Sequence, residues 1–172
     1  MNTTVGIFSN HVAAESAINE LKAFGVPDQN ISYIYSDIDG KLIDAQAPTK
    51  VGEGAAVGVT AGAALGALAG AVVASGVLPG FGALIVAGPL ATALGITGAT
   101  AVAGAATGAV AGGLLGALAN FGITAEDALL YETYVKRGDI LVIIRSNSFS
   151  VRDVFNKSGA SEIREYPYPL VS

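Results

Sequence analysis

Residues 54 through 125 contain no Asp, Glu, Lys or Arg, a run of 72 uncharged residues in a chain of 172. Within it, Gly54, Gly58, Gly62, Gly66 and Gly70 recur at a strict spacing of four, and Gly104, Gly108, Gly112 and Gly116 do the same. Glycine costs a helix about 1 kcal/mol per residue relative to alanine. Nine glycines on two ladders therefore need a compensating interaction, and close helix–helix approach supplies one. Without a Cβ, two backbones come near enough to gain dispersion contacts along their length. Each fourth residue falls about 40° past the last, so the ladder winds slowly and suits a crossed, right-handed pairing.

The spacing predicts two helices, Gly54 to Gly76 and Ile96 to Asn120, of 23 and 25 residues. At 1.5 Å per residue each is roughly 35 Å long, enough to cross a hydrocarbon core. Between them, VLPGFGALIVAGPLATALG is broken by Pro79 and Pro89 and reads as a short apolar lid or re-entrant piece at the hairpin tip. Periodicity and the Leu/Val content argue against a flexible Gly/Ala linker.

The flanks are polar. Residues 1–53 hold three Lys and seven Asp/Glu; residues 126–172 hold six Lys/Arg and seven Asp/Glu. In the first flank Thr4 to Phe8 alternates as a strand. Ser9 or Asn10 can cap a helix whose apolar positions are Ala14, Ala17, Ile18 and Leu21. Gly25 ends that helix, Pro27 blocks its continuation, and Asn30 to Ser36 reads as a second strand. Asp37 to Lys50 is a polar linker. In the second flank Thr124 and Asp127 form a capping box with Asp in place of Glu, opening a helix that stops at Gly138. Ile140 to Ile144 is wholly apolar, hence a central strand. Val151, Val154 and Phe155 share one helix face, Gly159 ends that helix, and Glu162 to Tyr166 reads as an edge strand closed by Pro167 and Pro169.

The fold expected is therefore α+β: a split ferredoxin-like domain, βαβ then αβαβ, with its helices on one face and a Gly/Ala-rich helical hairpin inserted between its halves. The halves span 1–50 and 123–172; the glycine-zipper hairpin spans 51–122 and is either membrane-inserted or the core of an oligomer. If both halves share one sheet, the insert must return to where it left, which favours an even number of long passes.

Composition narrows the function classes. Net charge is −5 and the pI about 4.7, against a nucleic-acid footprint and a polybasic lipid anchor. There is no cysteine, hence no disulfide framework and no thiolate zinc site. MNTTVGIFSN turns polar by Ser9 with no basic segment before it, so no signal peptide is expected. His11, the one histidine, reads as a helix-start residue. Asp37, Asp39 and Asp44 resemble a calcium loop that lacks its closing bidentate Glu, and read as a solvated turn. Gly52 to Gly58 has the wrong glycine spacing for a phosphate loop. Lys136, Arg137, Arg145, Arg152 and Arg164 are interspersed with acids as on a solvated face. Tyr131, Tyr134, Tyr166 and Tyr168 fit core packing or a lipid interface, core packing being the plainer reading. No catalytic, cofactor-binding or metal site is expected.

Four segments resemble a known family. TVGIFSNHVAAESAINELKAFGVPDQNISYIYSD, LPGFGALIVAGPLATALG, AEDALLYETYVKRGDILVIIR and KSGASEIREY follow the order of the YflT-type, general-stress-protein 17M-like domain: strand, acidic helix and strand, a proline-glycine core between Gly/Ala helices, a "YE…V…G…LV.VR" segment, and a closing "GA..I". The resemblance covers nearly the whole chain. It implies a bacterial stress-associated or membrane-associated protein and brings no catalytic residues with it. Three readings stay open at this point. One is a non-enzymatic stress-related structural protein that self-associates through its zippers at the bacterial inner membrane, the α/β domain cytoplasmic. Another is a soluble cytoplasmic scaffold whose zippers form the apolar core of a homo-oligomer. The third is a membrane-anchored sensor of an unknown small-molecule ligand. All lack cofactors and nucleic acid; the first two have self as partner, and the lipid bilayer is a partner in the first and third.

Overall fold

The computed structural model describes residues 2–36, 74–78, 82–94, 113–147 and 150–167. Six strands, β1 (Asn2–Phe8), β2 (Ile31–Ser36), β3 (Ala74–Leu78), β4 (Gly82–Ala87), β5 (Ile140–Ser146) and β6 (Glu162–Pro167), form one sheet in the order β3-β4-β2-β5-β1-β6. Every neighbouring pair is antiparallel. The fold is mixed α/β, as expected.

Local chemistry places the first elements where the sequence puts them. The Asn10 side chain accepts a hydrogen bond of 2.7 Å from the Ala13 N–H and opens α1 (His11–Ala23). Ala14, Ala17, Ile18 and Leu21 are buried beneath it. Thr124 caps α4 (Ala125–Lys136): its Oγ1 accepts from the Asp127 N–H, and its hydroxyl donates to Asp127 Oδ2. Helices α1, α4 and α5 (Ser150–Lys157) are followed by Gly25, Gly138 and Gly159, all with positive φ. Strand β5 lies between β2 and β1, and Ile140 to Ile144 are all buried. That is what a wholly apolar strand requires, since both its faces must be covered.

Both faces are in fact covered, which corrects the expectation of helices on one face. On the first, α1 and α5 pack over Phe8, Ile31, Tyr33, Tyr35, Ile140, Val142 and Ile144. Phe8 and Phe155 meet edge to face at 5.4 Å, and Lys157 bridges to Glu20 across the two helices at 2.8 Å. The second face carries Val5, Ile7, Ile34, Leu84, Val86, Leu141 and Ile143. It is covered by α2 (Pro89–Ala93), α3 (Gly113–Ala119) and α4.

Much of this second layer comes from the described parts of the uncharged run, within the span 51–122 expected to form an inserted hairpin. Residues 74–76, placed at the end of the first long helix, belong to β3. The predicted lid is a β-hairpin, β3 to β4, that extends the sheet beyond β2. Leu90, Ala91, Leu94, Leu114, Ala117, Leu118, Phe121 and Ile123 are core residues of the same domain. Of the second predicted helix, Ile96 to Asn120, residues 96–112 lie outside the described residues, and α3 covers Gly113–Ala119, with Gly113 at φ +56°.

Gly88 fixes how the hairpin docks. Its φ is +74°, and a Cβ on it would lie 2.0 Å from the Ile31 carbonyl oxygen. The backbone at Gly88 therefore lies against β2, and the Leu90 N–H then donates to Ser32 Oγ at 3.3 Å. Gly88→Ala should lower the stability by more than about 2 kcal/mol, since it combines backbone strain with a clash against main chain. Chemical denaturation of the variant measures this; an unchanged midpoint would show that α2 does not depend on the contact. Tyr33 presents the opposite case. Its ring is fully buried and its hydroxyl has no hydrogen-bond partner among the described residues. Tyr33→Phe should leave the thermal midpoint unchanged or raise the stability by about 1 kcal/mol, because it removes a desolvated hydroxyl rather than a bond.

Candidate functional site

Strand β6 and helix α4 carry the densest polar cluster of the described residues. On α4, Asp127, Tyr131 and Tyr134 stand at i, i+4 and i+7 and share a face. On β6, Glu162, Arg164 and Tyr166 alternate and share the face turned to the helix. The two rows meet. The Tyr131 and Tyr166 hydroxyls share a buried hydrogen bond of 2.6 Å. Tyr134 donates to Glu162 Oε2 at 2.9 Å. Arg164 donates through Nε to Glu162 Oε1 at 2.6 Å and pairs through its terminal nitrogen with Asp127.

Burial raises the Tyr131 phenol from 10.0 to about 12, against a lowering by its hydrogen bond with Tyr166. Tyr166 is held neutral still further up, by burial first and then by its bonds to Tyr131 and Asp127. The Tyr134 phenol is raised chiefly by its bond to Glu162. Nothing in this arrangement generates a nucleophile or a base: both buried phenols stay protonated at neutral pH, and the two carboxylates and the guanidinium are engaged with one another or with a phenol. The cluster works as a seam that closes an edge strand onto the helix above it. Its half-exposed ion pairs add little by themselves; the buried phenol pair carries more.

The residues singled out from the sequence distribute as follows. Gly54, Gly58, Gly62, Gly66, Gly70, Gly104, Gly108 and Gly112 lie outside the described residues, as do Asp37, Asp39, Asp44 and Tyr168. Gly116 lies in α3, half-buried, beside the buried Ala117 and Leu118. His11 is the first residue of α1, its ring edge-on to Tyr35 with centroids 4.7 Å apart. Tyr131 and Tyr166 are buried in the second core and Tyr134 packs against it, in line with the core-packing reading. The basic residues do not form one patch. Lys136 pairs with Glu132, Arg137 with Asp139, Arg164 with Asp127 and Glu162, and Arg145 lies over the Phe121 ring. Among the described residues no group of three or more His, Cys, Asp or Glu could hold a metal ion, and no helix is long and apolar enough to cross a membrane. The seam itself was missed from sequence, although the i, i+4, i+7 polar row on a helix and the alternating row on a late strand are both visible there.

No family model, no curated protein and no solved structure matches the chain.

Because Tyr131 titrates from 10.0 in the unfolded chain to about 12 in the folded one, its neutral form binds a proton in the native state that the unfolded state has lost. Its contribution is complete below pH 10 and is lost as the pH rises towards 12. Urea midpoints measured across that window should fall with pH, and should fall less steeply in Tyr131→Phe. The variant should also lose about 1 kcal/mol at neutral pH for the missing hydrogen bond. Parallel alkaline profiles for the two proteins would remove Tyr131 as the titrating group.

Proposed function

We propose that this chain is a non-enzymatic structural protein that self-associates through its glycine ladders, carried on a domain with a split ferredoxin-like core. The core order β2-β5-β1-β6 supports the fold assignment, with α1 joining β1 to β2 and α5 joining β5 to β6 on one face. The hairpin β3–β4 and the helices of the other face are additions to that core. The glycine spacing supports helix packing as the working interaction. The resemblance to YflT-type proteins carries the stress-related part of the reading.

One observation bears most on what surrounds the ladders. Ser36 and Ala74, which bound the segment with the first ladder, are in the same sheet, and Leu94 and Gly113, which bound the segment with most of the second, end helices packed on that sheet. A segment that leaves and rejoins one sheet must cross a bilayer an even number of times or not at all. One crossing takes about 20 apolar residues. Residues 54–73 supply 20 uncharged residues and 95–112 supply 18, in each case less than two crossings need. The sheet therefore favours packing of ladder against ladder, within one copy and between copies, over a spanning hairpin. The second reading, insertion at the inner membrane, keeps the support of the uncharged 20-residue stretch.

After lysis without detergent the protein should remain in a high-speed supernatant, as a particle larger than its 17.1 kDa monomer. A carbonate-resistant pellet that only detergent dissolves would reverse the choice in favour of the membrane. Gly62→Leu and Gly108→Leu should each lower the particle mass measured by sedimentation, because a leucine holds two helices apart where glycine lets them touch. Unchanged mass in both would remove the ladders as the association surface.

A further inference from the structure

Cysteine and methionine are the usual first targets of oxidants. This chain holds no Cys, no Trp and one Met, but six Tyr. Removal of a single electron therefore falls on tyrosine, the most readily oxidised side chain left. Five of the six lie among the described residues, in two groups, one on each face of the sheet. Tyr33 and Tyr35 stack on the first face with ring centroids 6.4 Å apart. Tyr131, Tyr134 and Tyr166 stand in the seam on the second.

The groups differ in what meets the hydroxyls. A phenol yields an electron readily when its proton can leave at the same time, which takes an acceptor in place. The Tyr33 hydroxyl has no hydrogen-bond partner among the described residues. In the seam the acceptors are present. Tyr131 and Tyr166 share a hydrogen bond of 2.6 Å, and Tyr166 is bonded in turn to Asp127.

We propose that Tyr131 and Tyr166 form an oxidative cross-linking site, where a one-electron oxidant joins the two rings and fastens β6 to α4 covalently. Each phenol gives one electron to the oxidant and its hydroxyl proton to solvent, with Asp127 as the first acceptor on the way. The two phenoxyl radicals then form a carbon–carbon bond between ring carbons ortho to the oxygens. The hydrogens on those carbons move to the oxygens and restore both hydroxyls. The net change is the loss of two electrons and two protons. Coupling of free phenoxyls waits on an encounter, whereas the shared hydrogen bond already holds these rings with their ortho carbons flanking the contact. Proximity of that kind replaces a bimolecular step by a unimolecular one. Burial sets the partner as well. Tyr131 is fully buried and Tyr166 is 7% exposed, so rings of other copies cannot reach them and the bond forms within one chain. An electron can leave a buried ring without the oxidant touching it. The inference does not depend on the self-association proposed above. Its consequence is a covalent tie between residues 35 apart, which restricts the unfolded chain as a disulfide would.

Brief illumination of the dilute protein with a tris(bipyridyl)ruthenium photosensitiser and persulfate tests the proposal. Mass spectrometry of the digest should show the peptides of Tyr131 and Tyr166 joined and two hydrogens lighter than their sum, in a product that runs as a monomer on a denaturing gel. In urea sufficient to unfold the chain the yield should fall about tenfold or more, because the fold supplies the pairing. Tyr134→Phe should leave the yield unchanged; Tyr131→Phe and Tyr166→Phe should each abolish it, with circular dichroism checking that they fold. The linked protein should melt above the untreated one. A dominant link between Tyr33 and Tyr35, a link between copies, no link at all, a Tyr131–Tyr166 yield that survives urea, or a linked protein that melts no higher would each overturn the assignment.

Discussion

A strand that is apolar on both faces cannot be left half covered, and β5 imposes that condition on the whole molecule. Leu141 and Ile143 point to one side, Ile140, Val142 and Ile144 to the other, and all five are buried. Two βαβ halves supply helices for one side only. The opposite side has to be roofed by something else, and among the described residues that roof is α4 together with parts of the uncharged run. The recruitment of Leu90, Leu94, Leu114, Leu118 and Phe121 into the second core follows from that need. Burial of such residues stabilises by about 25 cal/mol per Å² removed from water, so a bare second face would be a large loss.

The seam between α4 and β6 meets a related need at the sheet's margin. An edge strand has a partner on one side only, and β6 is short. Tyr131 and Tyr166 fasten it with rings that belong to the core and hydroxyls that satisfy each other, so little polar surface is desolvated without return. Asp127, Glu162 and Arg164 finish the row where it reaches solvent. On the other side of the sheet the hairpin β3–β4 joins through the β4–β2 ladder and the buried Leu84 and Val86, with the Gly88 backbone against the Ile31 carbonyl and the Leu90 N–H donating to Ser32 Oγ.

What the sequence disclosed, and what it hid, follows from how local each signal is. Asn10, Gly25, Thr124 and Gly138 act within one helical turn, and all four do what their types predict. The apolar run Ile140 to Ile144 gave the central strand, because no other position in a sheet tolerates it. The stretch Gly82 to Ala87 has the same apolar character, but it stands among glycines and alanines spaced as in a helix. A six-residue apolar run carries no periodicity that separates strand from helix. Pro79-Gly80, between Leu78 and Gly82, is a hairpin signal that the glycine ladders on either side obscured. The ladders themselves were legible as a pattern, and that pattern says how close two helices can come, not which helices they are. The seam is spread over two elements 35 residues apart, each half of which looks like an ordinary solvated face until the pairing is known.

The place of β1 in the sheet also sets the order in which the molecule can be assembled. Its two neighbours are β5 and β6, the last two strands in the chain. A ribosome adding 5–20 residues per second needs on the order of ten seconds to go from Phe8 to Ile140. Throughout that interval β1 has no partner on either side. The first-made strand therefore waits for the last-made ones, and everything between them, the glycine-alanine run included, emerges before its sheet exists. Folding of such a sheet is bound to long-range closure rather than to local growth. A cell making this protein therefore carries a 72-residue uncharged segment through most of that interval before the strands that complete the sheet are made.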